Sequence, residues 1–435
     1  MKNQRTGLTR TWAAKKFSMS LTLENQTVNT AFFQPLAGLA RRSSHARTCP
    51  DFSDDDYLQC GLLRVLESSP SGRAFLQEHG ARLSNSPSQA NYFATLHSPR
   101  RGAVVADVND ALRIMANQTL PDRLAGIAEL AAYEVFAMDG HWHKAASHDP
   151  RHHGVKMAVG HFYSLNLRTH TLRQLALGAG AHEHDISVLK RLTPRGLRQE
   201  VPKGRRTLLI YDRAGIDFDY WKRCRHECAI YFLSRTKSNT VLSWEERRPW
   251  DTADLRNRGV QEDMWAKTRD DHSLRLIGYV DPVTGKAYEF LTNEPDLPPG
   301  VLAELYRRRW SVEKVFDELK NKLGEKKAWA TSLEAKQTQA HLLTITHNLL
   351  LLYEQALEER HEVPNQAEDQ RRRERKKEQQ QSARHNGQLL STLVSQVCHA
   401  TQRSVKFIRW LRDALRYQLA ETTAVLRLKQ LYASL

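Results

Sequence analysis

A chain of 435 residues is long enough for roughly two to four domains, and its 40% hydrophobic content fills real cores, which excludes fibrous and wholly disordered classes. Its 65 Lys and Arg against 49 Asp and Glu leave a formal charge of +16, which points to a polyanionic partner, DNA or RNA first. Five scattered cysteines, Cys49, Cys60, Cys224, Cys228 and Cys398, suit reduced thiols in a cytoplasm better than a disulfide framework. The charged N-terminal stretch has no apolar run after it. The longest greasy stretch, His341 to Tyr353, is too short and interrupted to cross a bilayer, so no membrane contact is expected. Neither a GxxxxGK[ST] loop nor a strand-following GxGxxG occurs, and no nucleotide cofactor is expected.

Residues 1–125 mix polar loops with short amphipathic helical patterns, among them Tyr57 to Leu66 and Ala111 to Ala116. The stretch SPSQANYFATLHSPRRG places Tyr92, Phe93 and Leu96 on one helical face ahead of Pro99, Arg100 and Arg101. Such a unit reads equally well as a DNA-reading helix or as a core-packing helix followed by a basic loop. From Glu134 the runs EVFAMDG, MAVGHFYSLNLRTHTLRQLAL and RTLLIYDRAG read as strands. DISVLKRLTPRGL, with Ile186, Leu189 and Leu192 in helical spacing, lies before the last of them as a crossover helix, so the order belongs to a mixed α/β domain. Asp139 and Asp212 are expected near strand ends.

CAIYFLSRT continues the strand character, and a charged stretch with Trp244, Trp250 and Trp265 follows. LRLIGYVDPVTGKAYEFLTNE predicts a hairpin turning at Asp281, Pro282, Thr284 and Gly285. Beyond Pro298 the pattern is helical over Val301 to Leu323 and Leu333 to Leu357. After Pro364 comes a charge-dense linker, and a last amphipathic stretch runs from Leu389 to Leu435.

The sharpest motif is LYRRRWSVEKVFDELK, with Tyr306, Arg309, Glu313 and Lys320 spaced Y-x2-R-x3-E-x6-K. At about 100° per residue the four side chains fall within about 60° of one another, away from the stripe of Leu302, Leu305, Val312, Val315, Phe316 and Leu319. A plain surface helix with i, i+4 charge pairs has similar content. With Asp139 and Asp212 facing Glu313, three mutually repelling carboxylates favour a bound cation. Two Mg²⁺ ions there could activate water or a 3′-hydroxyl against a phosphodiester. Arg213, Tyr306, Arg309 and Lys320 would hold DNA phosphates around them. The bland alternatives are a turn-forming Asp139 before Gly140 and an Asp212 paired with Arg213.

Asp139, Asp212 and Glu313, the Tyr306, Arg309, Glu313, Lys320 spacing, DRAG after a hydrophobic strand and LTNE before the signature helix together resemble the DDE insertion-sequence transposases of the fourth insertion-sequence family. The similarity covers roughly Ala132 to Tyr353. It implies an α/β fold, an RNase H-like catalytic core with a β-rich insertion between the second Asp and the Glu, flanked by helical N-terminal and C-terminal regions. On that plan residues 1–125 form a helical DNA-binding domain for the terminal repeats. Residues 126–229 and 298–360 form the two parts of the core around an insertion at 230–297, and 361–435 hold a charged linker and C-terminal helices.

The resemblance implies a DNA transposase that binds inverted-repeat ends, nicks them and transfers strands into target DNA as a homodimer in its synaptic complex. Its cofactor would be Mg²⁺, two ions, with Mn²⁺ as substitute, and its place the bacterial cytoplasm at the nucleoid. Some relatives hold a flipped base on aromatic residues of the insertion, and Trp250 or Trp265 could do that, though no motif fixes which and a packed core Trp is the commoner reading. A transposase-derived DNA-binding protein that no longer cuts, or another RNase H-like nuclease, shares much of this sequence character.

Two further signals carry less. His141, His143, His148, His152, His153, His182 and His184, with Cys224 and Cys228, lack zinc-site spacing. His141 and His143 beside Asp139 could contact DNA or cap the sheet. The run Arg371, Arg372, Arg373, Arg375, Lys376, Lys377 reads as solvated linker or as a nonspecific phosphate contact.

Overall fold

The computed structural model describes residues 26–67, 69, 71–80, 83, 87–149, 151–152, 154–156, 159–178, 183–198, 201–237, 239–324, 327–364 and 393–433, with the side chains of 152, 155–156, 159, 185 and 393–404 left aside. The basic run from Arg371 to Lys377, His153 and His182 lie outside the described residues. Two compact units emerge, one of Met1–Ala40 with Leu349–Leu435 and one of Arg41–Asn348.

In the larger unit the helices α1 (Asp54–Glu67), α2 (Gly72–His79), α3 (Gln89–Thr95) and α4 (Pro99–Thr119) precede the sheet. Ser71, Ser88 and Ser98 cap three of them, each accepting a backbone N–H three residues on. Tyr92 and Leu96 are buried. Arg100 makes a two-point ion pair with Asp54 at 2.7 and 2.8 Å, and Arg101 donates to the Phe52 carbonyl at 2.7 Å with its guanidinium over the rings of Phe52 and Tyr57. The core-packing alternative therefore describes this segment. Pro99 opens a long helix instead of a basic loop, and the Arg pair that a DNA-reading helix would present is engaged within the fold.

The sheet strands are β1 (Tyr133–His143), β2 (Val159–Asn166), β3 (Leu172–Leu177), β4 (Arg206–Ile210), β5 (Ile230–Arg235), β6 (Leu242–Arg247), β7 (Val260–Thr268), β8 (Ser273–Val280) and β9 (Ala287–Thr292). Their spatial order is β3-β2-β1-β4-β5-β9-β8-β7-β6. Strands β1, β4 and β5 run parallel, while β2 and β3 are antiparallel to their neighbours, which is the RNase H-like arrangement. The four later strands continue the same sheet by antiparallel pairing from β5 outward. The expected boundary at residue 230 thus falls inside a continuous sheet, with 230–233 paired to the parallel core strand β4.

The central strands are covered on both faces, which is why RTLLI reads as an unbroken apolar run. On one face α5 (Asp185–Arg191), α6 (Pro194–Arg198) and α7 (Phe218–Cys228) bury Met138, Leu209, Phe232 and Trp221 in a common cluster. Each such fully buried large side chain contributes roughly 1.5–3 kcal/mol. On the other face lie α8 (Pro299–Arg309) and α9 (Ser311–Asp317), against β1, β2, β4 and β5. The polar residues of LTNE pin these layers. Asn293 Oδ1 accepts from Phe232 N at 2.7 Å, Thr292 Oγ1 donates to the Phe232 carbonyl at 2.6 Å, and Glu294 accepts from the Tyr133 hydroxyl at 2.6 Å.

Helix α10 (Leu333–His361) contributes to both units. In the smaller one, α11 (Leu393–Arg416) and α12 (Glu421–Ala433) join Val28–Phe33. Phe32 meets Tyr353 edge-on, Tyr353 stacks with Trp410, and Trp410 Nε1 donates to the Ala424 carbonyl at 2.7 Å. Among the described residues no helix is long and apolar enough to cross a membrane.

Candidate active site

Strand alternation decides which side chains reach the site. Along β1, Phe136 and Met138 point to the cluster of α5, α6 and α7, so Asp139, His141 and His143 point to the α8 and α9 face. Asp139 is not at a strand end. Strand β1 runs on to His143, with Asp139 opposite Tyr163 in β2, so AMDG is extended backbone and not a turn. What ends just before Asp139 is the parallel pairing, whose last pair is Ala137 and Ile210. Asp212 follows β4 by two residues, so the two carboxylates stand side by side where β1 and β4 part and line one small cleft with Met138, Phe162, Tyr211 and Gly215.

Asp212 is held by a tight turn. Its Oδ1 accepts from Ala214 N at 2.8 Å, and no ion pair with Arg213, the bland alternative for it, is seen among the described residues. Gly215 closes the turn against Tyr211, where an added Cβ would sit 2.1 Å from the ring. Ser234 Oγ donates to the Asp212 carbonyl at 2.9 Å from the neighbouring strand.

The signature segment departs from a single regular helix. Helix α8 ends at Arg309, α9 begins at Ser311, and residues 318–322 widen into a π turn. The 100° phase that gathered four side chains therefore holds only locally. Arg309 is buried and bridges two carboxylates: Nη1 donates to Asp139 Oδ2 at 3.3 Å and Nη2 to Glu313 Oε1 at 2.8 Å. Burial opposes its charge, yet Tyr306, Asp139 and Glu313 outweigh that and raise its pKa. Tyr306 packs on Phe290 with ring centroids 4.9 Å apart, and its guanidinium neighbour Arg309 lies 5.7 Å from the ring. Burial pushes the Tyr306 hydroxyl up, Arg309 and Arg235 oppose that, and the charge of Asp212 adds to it, which places Asp212 and Tyr306 in one electrostatic neighbourhood.

Asp139, Asp212, Glu313, Tyr306 and Arg309 thus come together. Arg213 and Lys320 do not join them: both are exposed, without an ion pair or hydrogen bond among the described residues. Arg235 belongs to no motif of the sequence. It ends β5, its guanidinium lies 5.1 Å from the Tyr288 ring, and its charge reaches Tyr306. Its position at the carboxyl end of a parallel strand beside that of Asp212 is the signal that marks it.

His141 and His143 neither face solvent nor cap the sheet. Both are buried, His141 stacked on Phe316 at 4.5 Å and His143 against His161 at 4.1 Å. Burial first, then the neighbouring His143 and His141, hold His161 well below its ordinary pKa. Trp250 and Trp265 are half-buried, the latter under Arg248 at 4.6 Å, so neither is a core residue, while Trp244 and Trp310 are more than half exposed. Cys224 lies in the apolar cluster, where burial raises its thiol to about 12, and Cys228 packs beside that cluster.

The donor set is oxygen only, anionic and open to solvent, with side-chain exposure of 19% at Asp139 and 29% at Glu313, and in kind it fits a hard divalent cation. Among the described residues no three such side chains converge on one point. Arg309 accounts for this by standing between Asp139 and Glu313.

Residues 131–349 match the family model described as a transposase DDE domain. No curated protein matches the chain. Among solved structures it is similar to a piggyBac transposase synaptic complex with hairpin DNA, at 13% identity and a TM-score of 0.35, over 92% of this chain and 75% of that one.

Proposed function

Because the chain belongs to the transposase DDE-domain family, we propose that it is a DNA transposase that binds the inverted-repeat ends of an insertion sequence, cleaves them and joins them to target DNA. The Tyr306, Arg309, Glu313, Lys320 spacing supports placing it with the fourth insertion-sequence family. Asp139, Asp212 and Glu313 are its catalytic and metal-holding residues. The carrying observation is that Asp139 and Asp212 line one cleft where the parallel pairing of β1 and β4 ends, with Arg309 joining Asp139 to Glu313.

When bound, Mg²⁺ at two sites, or Mn²⁺ as substitute, supplies Lewis acidity to the phosphodiester and lowers the pKa of an attacking water or 3′-hydroxyl. Asp139 and Asp212 hold it from adjacent strands, and Glu313 completes the set from α9. Arg309 and the Tyr306 hydroxyl position a scissile phosphate, and the exposed Arg213 and Lys320 hold flanking phosphates by charge. Two copies act together on paired ends, each holding double-stranded DNA.

The test is a cleavage assay on DNA carrying the sequence that flanks this reading frame, with Mg²⁺, with EDTA and with Glu313→Gln. Nicks at the boundary of an inverted repeat that need both metal and Glu313 support the reading. Tight binding with no metal-dependent cut points to a DNA-binding descendant, and a preference for branched DNA to another nuclease of this fold.

A further inference from the structure

Arg309 occupies the gap that a cation between Asp139 and Glu313 would fill. Its side chain is 8% exposed, so its two bonds to those carboxylates lie where attraction is little screened by water. Its Nε is buried and meets no acceptor. A guanidinium stretched between two carboxylates with a buried N–H unmet is incompletely satisfied, because the desolvation of that group is uncompensated. Nε and Nη2 together form the edge that a phosphate engages at two points.

We propose that Arg309 is an internal counter-cation that holds Asp139 and Glu313 in the DNA-free protein, and that a DNA phosphate draws it off, so that divalent-cation binding and DNA binding are coupled. The inference rests on reading Asp139 and Glu313 as metal-holding carboxylates. Charge is fully matched only when both DNA and metal are bound. Without DNA the single positive charge of Arg309 is shared by two carboxylates; with DNA the phosphate takes the guanidinium and leaves the carboxylates to a divalent cation. The same oxygens cannot serve both partners fully, so Arg309 competes with the metal until DNA arrives. Linkage makes the effect reciprocal: the metal strengthens DNA binding by the factor by which DNA strengthens metal binding. A site loaded only on DNA has little opportunity for chemistry elsewhere.

The test measures Mn²⁺ binding to the full chain by electron paramagnetic resonance, with and without a duplex of the flanking sequence, for the parent, Arg309→Gln, Arg309→Lys and Asp139→Asn. Thermal melts confirm that each variant folds. In the parent, DNA is expected to tighten Mn²⁺ binding about tenfold. Arg309→Gln is expected to bind Mn²⁺ that tightly without DNA and to gain little more from it. Arg309→Lys, whose single ammonium cannot span both carboxylates, is expected between the two, and it carries the test if the Gln variant does not fold. Arg309 variants that bind Mn²⁺ no better than the DNA-free parent overturn the gating role. Mn²⁺ binding untouched by Asp139→Asn in every form overturns instead the metal-holding reading beneath it.

Discussion

Arg275 and Asp263 face each other diagonally across β8 and β7 as a two-point ion pair, Nε to Oδ1 at 2.7 Å and Nη2 to Oδ2 at 2.6 Å, with both side chains almost fully enclosed. Arg275 Nη1 also donates to the Leu297 carbonyl at 2.7 Å, so the pair ties the added strands to the segment entering α8. Removing Asp263 leaves the enclosed Arg275 with only the more distant Glu294, 3.9 Å from its Nη1, as counter-charge. Asp263→Ala is therefore expected to lose about 3–5 kcal/mol in urea unfolding, whereas replacing both residues with apolar ones of similar volume is expected to cost far less. A loss below about 1 kcal/mol for the single change would show that water reaches the pair.

The Asp212 turn depends on Gly215. An alanine Cβ there would meet Tyr211 at 2.1 Å, and Tyr211 cannot yield because its hydroxyl accepts from Trp221 Nε1 at 2.6 Å inside the apolar cluster. Gly215→Ala is expected to cost about 1–3 kcal/mol of stability as an overpacked site. Because the strain falls on the residues that orient Asp212, nicking should drop at least about tenfold while DNA binding is kept. Both follow from urea unfolding, a nicking assay and a gel-shift titration on the same duplex.

The strands were legible because their apolar and β-branched runs are bounded by turn residues, and β1, β4, β8 and β9 lie where those runs lie. The two aspartates were legible as a pair because each sits near the end of such a run. Asp139 misleads locally: Asp-Gly is turn chemistry, yet pairing with β2 carries the strand on to His143, a long-range contact that no local window contains. The break between α8 and α9 has no Gly or Pro to announce it, and the π turn at 318–322 none either. Arg100 and Arg101 left a nucleic-acid contact open as one of two equal readings because their partners, Asp54 and the Phe52 carbonyl, lie far away in sequence.

Acid should weaken the larger unit through the buried His161 and the half-buried His341. Burial holds His161 well below its ordinary value and takes His341 down to about 4, with the charge of Asp110 opposing at His341. Unfolding returns both to near 6.5, so below that pH the unfolded chain binds more protons than the folded one. Their stabilising effect is whole above about pH 6.5 and shrinks as pH falls toward 4, by about 3 kcal/mol for His341 alone. Urea unfolding between pH 7 and 4.5 measures this slope. His341→Asn, which retains a polar group toward Asn109, should flatten it, and an unchanged slope would assign acid sensitivity to other groups.

Arg213 and Lys320 differ from Arg309 in a way that salt can separate. Both are exposed and without a partner among the described residues, so neither contributes to folding through an ion pair, and each is free to neutralise a phosphate. Arg213→Gln and Lys320→Gln should leave stability within about 0.5 kcal/mol of the parent. Each phosphate left unneutralised by such a change should make the plot of log affinity for duplex DNA against log salt shallower by about 0.9. Arg309 starts from a different state, since it must leave Asp139 and Glu313 before it can meet a phosphate. Its removal trades a bond to phosphate against the release of two carboxylates whose repulsion opposes DNA. In the absence of metal, Arg309→Gln should therefore lower affinity more than either exposed residue does, and added Mn²⁺, which tightens DNA binding by the parent, should do little for Arg309→Gln and so widen its deficit, whereas Mn²⁺ should leave the deficits of Arg213→Gln and Lys320→Gln unchanged. Gel-shift titrations at several salt concentrations, with and without Mn²⁺, read all three, and a Mn²⁺-insensitive deficit at Arg309→Gln would reduce that residue to one more phosphate-binding cation.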